Sequence, residues 1–281
     1  MPIKPKLGQN FLRDEQAIQR IAASIGDCTG RTVVEIGPGK GAITGALSAR
    51  ARRVLAIELD TELAARIRDE FSSDRVTVMN QDVLDFDFTA LSAELGDRLL
   101  VVGNLPYLIT SPILLKLAAN SAAIDRAVLM VQREVADRVA ASPGSRDYGL
   151  LSVTVQMYGP VEKLFTIPPG AFSPPPKVHS TVFRWRFEPR FAELKVDHPL
   201  LFLGFVRKAF AQKRKTLANN LRAAGIEPQT IDAALSMAGI DPLARTESLA
   251  IETLATLWRS LQKEGATPIA EVAPPVTDSD H

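Results

Sequence analysis

Cysteine is almost absent from this sequence: Cys28 is the only one in 281 residues, which excludes an internal disulfide. Histidine is nearly as scarce. His179, His198 and His281 lie too far apart for any metal-ligand spacing. Net charge is also small, at +1, so affinity for nucleic acid has to come from local patches and not from bulk charge. No run approaches the roughly 18 to 20 apolar residues that a membrane span needs. The opening stretch MPIKPKLGQNFLRDE carries lysines with no apolar segment behind them, unlike a secretory signal. No internal repeat is visible. What remains is an ordinary globular composition, 46% hydrophobic and 23% charged. The expectation is a cytoplasmic protein without membrane or metal, built as one large domain or a large one plus a small one.

What is present is alternation. DEQAIQRIAASIG has helical spacing, with Asp14 as cap and Gly26 as stop. RTVVEIG reads as a buried strand, followed by a glycine turn and the helix AITGALSARA. RVLAIELD, RVTVMNQD, RLLVVGN and RAVLMVQ read as further strands, with TELAARIRDEF and SPILLKLAAN as helices. That order predicts an α/β, doubly wound, mostly parallel sheet. GLLSVTVQMYGPVEKLFTI and KVHSTVFRWRF read as two long strands forming a hairpin at the sheet edge. From about Asp197 the pattern is helical throughout, with Glu188 to Asp197 as the joint. The stretch after Gly265 has little to bury and is expected to be disordered.

VVEIGPGKGAITGAL places Gly37, Gly39 and Gly41 where a strand ends and a helix opens. Glycine lets backbone approach a ligand, and a helix N-terminus offers free N–H donors. Glu58, at the end of the next strand, is placed to accept from two ribose hydroxyls. These residues suit a nicotinamide cofactor or S-adenosylmethionine equally. Gly41 is followed by Ala42, which excludes a phosphate-binding P-loop, and Lys40 reads as a solvated turn residue. G-x-G-x-G lacks the last glycine of the pyrophosphate fingerprint, and Asp82 at the end of the third strand can accept from an adenine amine. On position alone an Asp there is more often a cap, but the combination favours S-adenosylmethionine.

VVGNLPY then runs from a strand directly into Asn104, Leu105, Pro106 and Tyr107. An adenine amine is a poor nucleophile because its lone pair is delocalised into the ring. Two oxygen acceptors on its N–H bonds favour the pyramidal geometry of attack. The Asn104 side chain supplies one. The Leu105 carbonyl supplies the other, held extended because Leu105 precedes proline. Gly103 leaves the approach open, and Tyr107 offers a face for the base to stack on. Phe172, on a loop stiffened by Pro174, Pro175 and Pro176, either closes the stack from the other side or packs into the core; the sequence favours neither.

LGQNFL, EIGPGKGAIT, NLPY, FSPPPKVHS and FAQKRKTLANNL, in this order, resemble the ribosomal RNA adenine dimethyltransferases, from PKLGQNFLRD to about Lys263, and in particular the bacterial small-subunit branch. The resemblance implies a class I S-adenosylmethionine-dependent methyltransferase; with the pattern above, the expectation is a Rossmann-like sheet domain over 1–190, a small C-terminal all-helical rRNA-binding domain over 191–265, and a disordered tail over 266–281. It implies transfer of four methyl groups to two adjacent adenosines near the 3′ end of 16S rRNA, within an assembling small (30S) subunit and by a monomer. Cofactor contacts would come from Asn10, Leu12, Gly37, Gly39, Glu58, Asp82 and Asn104. The reactive pocket would use Asn104, Leu105, Pro106, Tyr107 and Phe172. Leu108 departs from the polar residue that relatives often carry after the tyrosine.

RKAFAQKRKTLANNLR carries Arg207, Lys208, Lys213, Arg214, Lys215 and Arg222 without an acidic residue. It reads as a positive helical face for RNA phosphates, to which Lys4 and Lys6 add. For an arbitrary basic helix a solvated face is the commoner case. Asn219 and Asn220 read as caps or RNA contacts. The alternatives are an Erm-type methyltransferase acting on 23S rRNA, a non-catalytic RNA-binding assembly or transcription factor on the same fold and, more remotely, a DNA adenine methyltransferase or a nicotinamide oxidoreductase.

Overall fold

An extended segment leads into the first helix, and Asp14 marks the change. In this computed structural model, which describes residues 10–71 and 74–265, strand β1 (Phe11–Leu12) precedes helix α1 (Glu15–Ser24). The Asp14 carboxylate accepts from the Ala17 N–H at 2.9 Å, as an N-cap should. Ala17, Ile18, Ile21 and Ala22 then form one buried stripe. Strands and helices alternate from there: β2 (Thr32–Ile36), α2 (Ala42–Ser48), β3 (Arg53–Glu58), α3 (Thr61–Glu70), β4 (Val76–Asn80), α4 (Phe88–Leu95), β5 (Leu99–Asn104), α5 (Thr110–Ala119), β6 (Ile124–Gln132) and α6 (Arg133–Val139). Next come α7 (Leu150–Met157), β7 (Val161–Ile167), β8 (Phe172–Ser173) and β9 (Ser180–Arg186), then α8 (Pro199–Ala209), α9 (Leu217–Ala223), α10 (Pro228–Ala238) and α11 (Ile251–Lys263).

Seven strands make one sheet in the order β4-β3-β2-β5-β6-β9-β7. The first five run parallel, and β9 pairs antiparallel with both β6 and β7. Strands covered on both faces must be apolar on both. Accordingly Val33, Val34, Val54, Ala56, Leu100, Val101 and Val102 are fully buried. The chain lays down β2, β3 and β4 outward in one direction, then returns past β2 to lay down β5 and β6. The order therefore reverses between β2 and β5, and the crevice at such a switch point is where open α/β sheets bind ligands. β1 and β8 form a separate two-stranded sheet, pairing Leu12 with Phe172.

The expected doubly wound sheet and edge hairpin are present. The first of the hairpin's two strands is shorter than expected, because GLLSVTVQM folds as α7 and only Val161–Ile167 forms strand β7. Its residues Ser152, Val153, Thr154, Val155 and Met157 are all buried, so no apolar stripe distinguishes helix from strand, and the β-branched residues pointed the wrong way. Helix α4 has no counterpart in the sequence reading.

The described residues fall into two compact units. One comprises the chain up to Ala136 together with Pro160–Phe187, and contains the sheet. The other comprises Asp137–Gly159 and the chain from Glu188 onward. It is helical, with a core that includes Val153, Met157, Phe202, Phe205, Leu221, Leu254 and Trp258. The break at Phe187–Glu188 lies near the joint read from the sequence, and α7 joins the helical unit because Val153 and Met157 belong to that core. Among the described residues no helix is long and apolar enough to cross a membrane. Lys4, Lys6 and the stretch 266–281 lie outside the described residues.

Candidate active site

The residues singled out from the sequence stand at the C-terminal ends of successive parallel strands: Gly37 after β2, Glu58 closing β3, Asp82 after β4 and Asn104 closing β5. They border a cavity of about 460 Å³, whose lining also includes Asn10, Leu12, Gly39, Leu105, Pro106 and Tyr107. Of the predicted cofactor and reaction residues, only Phe172 is missing from that lining. It is 4% exposed and packs in the core with Leu12, Ile167 and Val182. Pairing of β8 with β1 places it there. The ring thus packs with the core and does not line this cavity. Leu108, by contrast, is 81% exposed at the cavity rim.

Glu58 is buried, and both its oxygens are engaged by backbone. Oε2 accepts from the Gly39 N–H and Oε1 from the Asp60 N–H, each at 3.0 Å. Burial pushes its pKa up, against the pull of those two hydrogen bonds. Asn80, which the sequence reading missed, fixes the strand end by donating to the Glu58 carbonyl at 2.9 Å and the Leu59 carbonyl at 3.1 Å. Asp82 caps a turn by accepting from the Leu84 N–H at 2.9 Å, and lines the cavity as well. Phe11 lies against Gly39, and the Lys40 ammonium, exposed in the turn as read from the sequence, sits 4.5 Å from the centre of the Phe11 ring.

Gly41 has φ +80°, and a Cβ there would fall 2.6 Å from the Phe71 ring. The third glycine of the loop therefore makes room for Phe71. We expect Gly41→Ala to cost about 1–3 kcal/mol through backbone strain and overlap, lowering the melting temperature by several degrees in calorimetry. Gly45→Ala, inside α2 and only in ordinary contact with Phe71 at 3.5 Å, should melt at or above wild type. Gly103 has a similar structural reason: a Cβ there would stand 3.0 Å from the Ile36 carbonyl oxygen. Its lack of a side chain serves the close approach of β5 to β2.

Beneath the loop lies Glu35, 1% exposed and also missed by sequence reading. Its Oε2 accepts from the Thr44 hydroxyl at 2.6 Å. Burial pushes its pKa up from 4.5 to about 7, more than the Thr44 hydrogen bond lowers it. The folded state thus holds this proton more tightly than the unfolded chain. The resulting stability is complete below about pH 4.5 and is lost as pH rises through about 7. Glu35→Gln keeps an acceptor for Thr44 and does not titrate. The wild-type melting temperature, measured relative to that variant, should fall between pH 5 and 8. Parallel melting curves across that range would remove the assignment.

The Asn-Leu-Pro-Tyr stretch is held from several sides. Asn104 Nδ2 donates to the Asn10 carbonyl at 3.3 Å, which turns Oδ1 into the free end of the amide. The Leu105 N–H donates to the Met130 carbonyl at 3.0 Å. Thr110 donates to the Pro106 carbonyl at 3.0 Å, and the Tyr107 hydroxyl meets the buried Ser180 hydroxyl at 3.0 Å. Ser180 lies in the FSPPPKVHS stretch, yet nothing in the sequence marked it as a partner for Tyr107.

In the helical unit the basic residues do not share one helical face. Arg207 and Lys208 are half-buried on α8, and Arg222 is exposed on α9. Lys213, Arg214 and Lys215 occupy an exposed turn between the two helices. Arg222 is partly engaged, with Asn219 Oδ1 at 3.2 Å and Asp232 at 3.5 Å.

A family model described as Ribosomal RNA adenine dimethylase matches residues 2–263. The chain belongs to this family. It is thus an S-adenosylmethionine-dependent rRNA adenine methyltransferase, as the sequence motifs implied. A relative in Acidobacterium capsulatum, named Ribosomal RNA small subunit methyltransferase A, is 61% identical over 260 residues, covering 92% of this chain and 91% of its own. Among solved structures, 23S rRNA methyltransferase ErmE superposes with a TM-score of 0.68 at 27% identity, over 90% of this chain and 100% of that one. A dimethyladenosine transferase from Plasmodium falciparum reaches 0.75 at 21% identity, over 91% and 98%, and shares the fold.

Proposed function

We propose that this enzyme dimethylates two adjacent adenosines near the 3′ end of 16S rRNA, within an assembling small ribosomal subunit, giving N6,N6-dimethyladenosine. It acts in the cytoplasm as a monomer. The observation that carries this reading is the single cavity that joins Glu58 and Asp82 at one end to Asn104–Tyr107 at the other. The donor set suits S-adenosylmethionine, which supplies an electrophilic methyl group on a sulfonium. Glu58 would accept from the ribose hydroxyls and Asp82 from the cofactor's adenine amine. Asn10 and Leu12 would close over it, with Gly37 and Gly39 presenting backbone.

At the other end Asn104 Oδ1 and the Leu105 carbonyl would hold the two N–H bonds of the target amine while Tyr107 stacks on its ring. The N6 lone pair forms the new bond to the methyl carbon, the carbon–sulfur bond breaks, and the surplus N6 proton leaves to water. Fixed dipoles and positioning suffice, so no titrating base is needed.

The 61% identity to a small-subunit enzyme favours 16S over 23S rRNA as the target, since ErmE stands at 27%. Labelled S-adenosylmethionine should be offered to unmodified small subunits, to their deproteinised 16S rRNA and to 23S rRNA, with nucleoside mass spectrometry of the products. Dimethyladenosine mainly in the small subunits supports the proposal. Product in 23S rRNA moves the enzyme to the Erm branch, and subunit binding without product marks a non-catalytic factor.

A further inference from the structure

Helix α8 stops without either of the usual helix breakers. FVRKAFAQKRKTLANNL holds neither glycine nor proline, and most of its residues are good helix formers. Even so, the chain turns between Ala209 and Leu217. In a continuing helix the Ala209 carbonyl would accept from the N–H four residues on. Here two side chains from elsewhere in the same unit take that place. Asn220 Nδ2 donates to the Ala209 carbonyl at 2.7 Å and the Thr246 hydroxyl at 2.6 Å. The Asn220 amide also donates to the Gln212 carbonyl at 3.3 Å, and Thr216 restarts the helix by accepting from the Asn219 N–H at 3.2 Å.

Both bracing side chains are buried, Asn220 at 3% and Thr246 at 1% exposure. Asn220 Oδ1 makes no hydrogen bond among the described residues. A leucine would avoid leaving that oxygen dry, so Asn220 serves the backbone turn and not the core. The turn changes what the basic residues can do. On a helix successive side chains point about 100° apart, which spreads three consecutive cations around the axis. On the turn Lys213, Arg214 and Lys215 are all exposed, and none makes an ion pair among the described residues.

We propose that Asn220 and Thr246 are positioning residues for rRNA binding: they break a helix-prone basic segment so that Lys213, Arg214 and Lys215 meet RNA phosphates as one cluster. This rests on the reading that the enzyme binds rRNA through that segment. The test uses the full chain. Thr246→Val removes the donor with little change of shape, Thr246→Ser restores it, and Asn220→Leu removes the other arm. Three quantities are read: hydrogen exchange at the amides of 211–216, affinity for unmodified small subunits across a salt series, and S-adenosylmethionine affinity by calorimetry.

Thr246→Val should speed exchange in the turn and weaken subunit binding about 3- to 10-fold near physiological salt. It should also flatten the slope of log K against log salt, with cofactor affinity unchanged. Thr246→Ser should restore the exchange rate, the subunit affinity and the salt slope. Unchanged exchange in the turn, or faster exchange with wild-type affinity and slope, overturns the proposal. Should Asn220→Leu lose the fold, Thr246→Val carries the test alone. Replacing Lys213, Arg214 and Lys215 together by alanine separates the underlying reading. Wild-type subunit binding by that triple variant would show that the turn does not contact RNA, whatever the brace does.

Discussion

Asn104→Ala should lower the rate of methyl transfer by about 10²- to 10³-fold, the usual effect of deleting one fixed dipole aimed at a reacting group. The amide orientation makes the prediction specific. With Nδ2 donating to the Asn10 carbonyl, Oδ1 is the end available to the target amine, and alanine removes it entirely. That donor bond is long, at 3.3 Å, so its loss should weaken S-adenosylmethionine binding only a few-fold. Single-turnover rates paired with calorimetry separate the two effects. Asn104→Asp keeps an acceptor but sets a carboxylate against the Asn10 carbonyl, so its rate should fall between the two. A near-normal rate for the alanine variant would refute the acceptor role.

Glu58→Ala should act on binding instead. It removes the acceptor for the Gly39 and Asp60 N–H groups and the predicted acceptor for both ribose hydroxyls. Hydrogen bonds to a charged acceptor are worth about 1.5–3 kcal/mol each. Losing the two ribose contacts should therefore raise the S-adenosylmethionine Kd about 10²-fold or more. The rate at saturating cofactor should change far less, because Glu58 closes β3 while the predicted acceptors for the amine follow β5. Glu58→Gln retains the shape and one acceptor oxygen, and should weaken binding by roughly 10-fold. A calorimetric Kd for Glu58→Ala within a few-fold of wild type would remove Glu58 from the cofactor site.

Both residues are legible in the sequence because they end apolar runs. Between helix-patterned segments, a short run such as VLAIE or LLVVGN reads as a strand buried on both faces. In an alternating α/β chain the residue that closes such a run stands at the edge where ligands bind. The partners of these residues are not legible there. Ser180 reaches Tyr107 from a distant strand, Asn80 clamps β3 from β4, and Asn10 meets Asn104 across 94 positions of sequence. Glu35 reads like any residue of a strand, and it is the fold, chiefly through full burial, that shifts its protonation.

By itself the sequence determined the doubly wound sheet, the glycine loop, the acidic and Asn-Leu-Pro-Tyr ends of the strands, and through its ordered motifs the family. These are local signals, written in spacing and residue type. Only the tertiary structure decided that GLLSVTVQM is a helix, that Phe172 faces the core, and that the basic segment breaks after Ala209. In each case the deciding force is a contact from elsewhere in the chain. The core of the helical unit claims α7, β1 claims β8, and Asn220 and Thr246 claim the Ala209 carbonyl. Local propensity carries no record of partners that folding brings from a distance.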